Sequence, residues 1–171
     1  MIEHDMQSGE VMNTEIEHKF LPNVTFEDIP RIDEAVATKI DQGYLTNGPD
    51  GAVRVRREGD TYTWTFKGPP MGHATEKVEL ETEITKEQFD VMWPGTGGRR
   101  VEKTRYRLPL ADHTVELDVF EGSNAGNMMA EIEFASTTVA DFFDAPEWLG
   151  PKVTSDKRYG NASIAEHGFP G

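Results

Sequence analysis

Cysteine is missing from all 171 residues, which excludes disulfide scaffolds, thiolate zinc sites, iron–sulfur clusters and cysteine nucleophiles. Cations are scarce: 17 Lys and Arg stand against 31 Asp and Glu, for a formal net charge of −14. So acidic a surface repels phosphate backbones and anionic membranes, so neither nucleic acid nor a membrane is expected as a partner. Long hydrophobic runs are also missing. No segment approaches the ~20 apolar residues of a membrane span, and the N-terminal residues carry no apolar signal-peptide core. The five histidines, His4, His18, His73, His113 and His167, show no metal-ligand spacing. Serine and histidine fall into no arrangement that suggests a nucleophilic triad. What remains is a chain long enough for one domain with its own core, expected in the cytoplasm.

Residues 1–13 are polar and non-periodic and read as a disordered extension; one domain is expected over residues 14–171. From Thr14 onward the pattern alternates with period two, which means strands. These are expected over residues 15–21, 38–46, 52–57, 61–67, 74–84, 100–108, 113–121 and 129–134. Turn residues punctuate them, notably Asn47-Gly48-Pro49-Asp50-Gly51 and Glu58-Gly59-Asp60. Thr85 with Gln88 is a capping box for a short helix that stops at Pro94-Gly95. Gly95-Thr96-Gly97-Gly98 follows that helix rather than opening one, so it reads as a flexible loop and not a phosphate loop. Thr138 is expected to cap a second helix, and Ser155 to about Glu166 to form a third. The fold class is α+β, mainly antiparallel β, and the run of short strands suits a barrel or sandwich.

The polar half of each strand is filled with ions of both signs. Glu17 and Lys19 oppose Ile16 and Phe20; Arg54 and Arg56 oppose Val53 and Val55; Lys67 opposes Trp64 and Phe66. Lys77, Glu79, Glu81 and Glu83 alternate with Val78 and Leu80, and Lys103, Arg105, Arg107, Glu116, Asp118, Glu131 and Glu133 continue the pattern. Such a face is commonly just the wet side of a half-covered sheet, and periodicity alone does not say whether it meets bulk water or a lumen. Eight cations nevertheless occupy alternating strand positions in a strongly acidic protein: Lys19, Arg54, Arg56, Lys67, Lys77, Lys103, Arg105 and Arg107. If the face is enclosed, rows of Arg and Lys demand an anion and clustered carboxylates demand a cation. Guanidinium forks suit phosphate oxygens and carboxylates suit Mg2+ or Mn2+, so an enclosed face of this kind describes a polyphosphate site.

These residues resemble the CYTH superfamily, the triphosphate tunnel metalloenzymes. Glu15-Ile16-Glu17-His18-Lys19 is similar to its E-x-E-x-K signature, and Val53-Arg54-Val55-Arg56 to its R-x-R strand. Gln42-Gly43-Tyr44-Leu45, Thr65-Phe66-Lys67, Glu116-Leu117-Asp118 and Glu131-Ile132-Glu133 follow in the family's order, as does Asp156-Lys157-Arg158-Tyr159 near the end. Lys77-x-Glu79-x-Glu81 stands where R-x-E-x-E is usual, which gives up a bidentate contact.

The resemblance implies an eight-stranded closed tunnel barrel with a charged lumen and short helices outside. It implies divalent-metal-dependent hydrolysis of inorganic tripolyphosphate, a small-molecule triphosphate, with Mg2+ or Mn2+. By the same likeness Glu15, Glu17, Glu131 and Glu133 surround the metal, with Glu116 and Asp118 in support and Glu79 and Glu81 holding a second metal or orienting cations. Lys19, Arg54, Arg56, Lys77, Lys103, Arg105 and Arg158 bind phosphate oxygens, while Tyr44 and Lys67 activate the attacking water. Lys67 as one more phosphate clamp and Tyr44 as a packed residue are the plainer alternatives. The same fold accommodates a class IV adenylate cyclase, a thiamine or nucleoside triphosphatase, or a non-catalytic polyphosphate-binding module; the oligomeric state, a homodimer included, stays open.

Overall fold

A computed structural model describes residues 11–12, 16–70 and 77–171, with the backbone alone at Val11, Met12, Pro70 and Lys77. Its strands are β1 (Val11–Met12), β2 (Glu17–Phe20), β3 (Val36–Gly48), β4 (Gly51–Glu58), β5 (Thr61–Pro70), β6 (Lys77–Ile84), β7 (Arg100–Leu110), β8 (His113–Phe120) and β9 (Met128–Glu133). Three helices interrupt them: α1 (Lys86–Met92), α2 (Thr137–Asp141) and α3 (Asn161–His167). The pairs β1–β6, β6–β5, β5–β4, β7–β8, β8–β9 and β9–β2 are antiparallel, and the strand order is β1-β6-β5-β4-β3-β7-β8-β9-β2. This corrects the expected count and closure. Among the described residues the sheet has nine strands, because Val11–Met12 pairs with Glu81 and Leu80, and it ends in two edges rather than a closed ring. A two-residue strand carries no legible alternation, and alternation fixes the face of a residue without saying whether edge strands meet.

The chain divides into two compact units, one of residues 1–14 and 42–100, the other of residues 15–41 and 101–171. In the first, β4, β5 and β6 pair so that Val55 stands opposite Trp64 while Arg54 stands opposite Thr65 and Thr65 opposite Glu81. Helix α1 packs against β4 and β5, with Phe89 buried 5.2 Å from the Tyr62 ring and stacked 5.1 Å from Trp93. The capping box is present: Thr85 accepts from the Gln88 N–H and the Gln88 side chain accepts from the Thr85 N–H, an arrangement that contributes about 1 kcal/mol. The expected flexible loop is instead a 3-10 turn, Trp93–Thr96, whose Thr96 is fully buried. Gly43 makes this possible, since a Cβ there would lie 2.5 Å from the Thr96 Cβ.

In the second unit the apolar core occupies one face. Register rows Leu108–Val115–Ile132 and Leu117–Ala130–Phe20 are buried beneath Ile29, Ala140 and Leu149. Full burial of each such side chain stabilises by roughly 2 kcal/mol. His18 lies on this face too, 4.8 Å from the Phe134 ring. Helix α2 is capped by Ser136 rather than Thr138, because Ser136 is extended and its hydroxyl accepts from the Val139 N–H. The long C-terminal helix expected from Ser155 is shorter: Gly160 stays extended and divides a 3-10 turn, Lys157–Tyr159, from α3.

Candidate active site

In each unit the ionic residues lie on the face of the strands opposite the apolar packing, yet many are buried. In the first unit Arg54 is only 5 % exposed. Its Nη2 donates to Thr65 Oγ1 at 3.2 Å and to Glu81 Oε2 at 3.4 Å, and Thr65 Oγ1 donates to the same carboxylate oxygen at 2.8 Å. Arg56 Nε donates to the Oε1 of fully buried Gln42 at 3.2 Å and its Nη1 lies 3.7 Å from Glu58. Lys67, opposite Ala52 and Glu79 in register, has its ammonium 3.5 Å from Glu79 Oε2. Tyr44, two residues beyond Gln42, is buried, and its backbone is gripped by Arg99. The Tyr44 N–H donates to the Arg99 carbonyl and Arg99 Nε donates to the Tyr44 carbonyl, both at 3.0 Å, while Nη2 reaches the carbonyls of Leu45 and Gly95.

In the second unit one register row reads Arg107–Glu116–Glu131–Lys19 across β7, β8, β9 and β2, and Arg105 faces Asp118 in the next. Lys103 and Asp118 have no exposed side-chain surface, and Nζ donates to Asp118 Oδ2 at 2.6 Å and to Asn161 Oδ1 at 3.2 Å. Arg105 forks onto the same carboxylate, Nε to Oδ1 at 2.7 Å and Nη2 to Oδ2 at 2.9 Å, and its Nη1 donates to Glu116 at 2.9 Å. Burial alone would push the Asp118 carboxyl up, but Lys103 and Arg105 hold it down at about 2. Burial likewise opposes the charge of Arg105, and Asp118, Glu116 and Glu131 overcome it and raise its pKa. Lys19 lies 3.6 Å from Glu17, and Glu17 faces Glu133 directly.

The structure therefore brings Arg54 and Glu81 together, Lys67 and Glu79 together, and Lys103, Arg105, Glu116 and Asp118 into one network with Glu131 at 4.0 Å from Arg105. Glu133 is exposed, and so is Arg158, whose guanidinium is bound by Asp156 at 2.7 Å. Glu15 and the Lys77 side chain lie outside the described residues. Sequence reading missed Gln42, Thr65, Arg99 and Asn161 as parts of this machinery. Gln42 and Thr65 carried a signal, since both share the strand parity of the arginines; Arg99 and Asn161 lie outside the alternating pattern.

Like charges directly opposite each other in a sheet repel, and two such pairs, Glu17–Glu133 and Glu116–Glu131, sit side by side. Glu131 Oε1 is buried with no hydrogen-bond partner among the described residues. All the donors are carboxylate oxygens, so this corner fits a hard divalent cation. Among the described residues no three acidic or histidine side chains converge as a ready metal cage. Asp118 accepts hydrogen bonds from both Lys103 and Arg105.

The chain is similar to known proteins in sequence and in fold. The CYTH domain family model matches residues 13–166. An inorganic triphosphatase of Nitrosomonas europaea is 44% identical over 154 residues, 89% of this chain and 97% of that protein. An inorganic triphosphatase of Acetivibrio thermocellus is 32% identical, over 92% of this chain and 97% of its own. The crystal structure of an inorganic triphosphatase superposes with a TM-score of 0.68 at 42% identity, covering 93% of this chain and 98% of that one.

Proposed function

The chain belongs to the CYTH domain family, and from that premise we propose that it is a divalent-metal-dependent hydrolase that splits inorganic tripolyphosphate into pyrophosphate and orthophosphate. Water attacks a terminal phosphorus, one P–O bond forms, and the bridging P–O bond breaks with pyrophosphate as the leaving group. Little covalent chemistry falls to the protein, so positioning and charge stabilisation carry the rate. Lys19, Arg54, Arg56, Lys77, Lys103, Arg105 and Arg158 are assigned to the phosphate oxygens. Tyr44 and Lys67 are assigned to the attacking water, to orient it and take its proton. Glu15, Glu17, Glu131 and Glu133 would hold Mg2+ or Mn2+, with Glu116 and Asp118 in support, and Glu79 and Glu81 would hold a second metal or orient the cations. When bound, the metal supplies Lewis-acid stabilisation of the phosphoryl oxygens.

One observation carries this reading. Among the described residues, Arg54 Nε and Gln42 Nε2 on the ionic face of the first unit are buried donors without partners, and Glu131 Oε1 on that of the second is a buried acceptor without one. A solvated face would leave such groups wet, and buried polar groups go unpaired only at a cost. Both units thus have ionic faces that an anion and its cation would complete. The relatives' shared activity supports the substrate class.

The test is product identity. Tripolyphosphate, ATP and thiamine triphosphate are each incubated with the protein in Mg2+, in Mn2+ and in chelator. Orthophosphate from tripolyphosphate, abolished by the chelator, is the expected result. Cyclic AMP with pyrophosphate from ATP would replace it with a cyclase, and no product from any substrate would leave a binding module.

A further inference from the structure

Gln42 sits on β3 with no exposed surface. The orientation of its carboxamide is fixed by chemistry, because the neighbouring Arg56 Nε only donates and must face Oε1, at 3.2 Å. The amide nitrogen therefore turns away from Arg56, and among the described residues it has no partner. Arg54 Nε, two residues from Arg56 on the same strand face, is a second buried donor in the same condition. A neutral amide placed beside guanidinium groups adds two N–H donors without adding repulsion. The group that satisfies it must accept hydrogen bonds, tolerate positive neighbours and offer several oxygens.

We propose that Gln42 is a substrate-binding residue, its Nε2 donating to a phosphate oxygen of a small polyphosphate while its Oε1 holds Arg56 in register. This deepens the polyphosphate reading above and rests on it. Two variants separate the roles. Gln42→Leu removes both, whereas Gln42→Glu keeps an acceptor for Arg56 and puts a carboxylate where the donor was. Initial rates on tripolyphosphate with metal, and melting followed by circular dichroism, are read for both and for the unmodified protein. Gln42→Leu is expected to lower kcat/KM about tenfold, the loss of one buried uncharged hydrogen bond. Gln42→Glu is expected to lose more while melting like the unmodified protein. Recovery of kcat/KM to within about twofold in Gln42→Glu would mean that Gln42 only holds Arg56, or that water occupies its nitrogen, and would overturn the proposal. Should Gln42→Leu fail to fold, Gln42→Glu decides alone. If the unmodified protein does not turn over tripolyphosphate, the functional reading and this one fall together.

Discussion

Arg54 and Arg56 differ in how completely the protein satisfies them, although one strand presents both to the same face. Arg54 is drawn to Thr65 and Glu81 through one nitrogen, and its buried Nε has no partner among the described residues. Arg56 is tied at Nε by Gln42, and its Nη1 lies 3.7 Å from Glu58. A fork held in that way is pre-organised for phosphate oxygens at small entropic cost. Arg56→Ala is therefore expected to raise KM for tripolyphosphate and lower kcat, with kcat/KM down roughly 10- to 100-fold, since the clamp acts on ground and transition states together. An unchanged KM in steady-state kinetics would remove Arg56 from the binding set. The alternating arginines were legible in the sequence because side-chain direction along a strand follows parity. Their partners were not, since a hydrogen bond between Gln42 and Arg56 joins residues on different strands and depends on register.

At the level of elements, β7 and β8 show what a strand pair does with buried charge. Lys103 and Arg105 both bind Asp118, a group with no exposed surface. Removing one member of a buried ionic network strands the others, so Asp118→Asn is expected to cost about 3 kcal/mol of stability at neutral pH. The pH dependence follows from the direction of the shift. Lys103 and Arg105 hold the folded-state carboxyl down at about 2, below the ordinary aspartate value, so its contribution is complete above about pH 4 and is lost as the pH falls through about 2. Urea unfolding across that window should show the gap between variant and unmodified protein closing in acid; a gap of constant size would contradict the assignment. Most elements were readable from alternation and capping chemistry, including the box at Thr85. The exceptions have local physical causes. Ser136 took the cap expected of Thr138, Gly160 cut the last helix short, and the glycine-rich turn became ordered because Thr96 packs against the bare backbone of Gly43.

For the whole molecule, the net charge of −14 makes the burial of cations informative. Arg54, Lys103 and Arg105 lie out of water, where each costs desolvation that Glu81, Asp118 and Glu116 offset. The class of fold and the family could be read from the order of ionic strands along the chain. The two edges of the sheet and the ninth strand could not, because edge pairing is decided by three-dimensional curvature and not by periodicity. If a small polyanion completes these ionic faces, the most direct check is thermal unfolding in metal-free buffer, where turnover is expected to stop, with tripolyphosphate titrated in. Binding to the folded state at about 100 times Kd should add about 2.7 kcal/mol, which for a chain of this size raises Tm by roughly 5–10 °C. A Tm that stays put at millimolar tripolyphosphate would contradict the claim that the buried charges form a polyphosphate site.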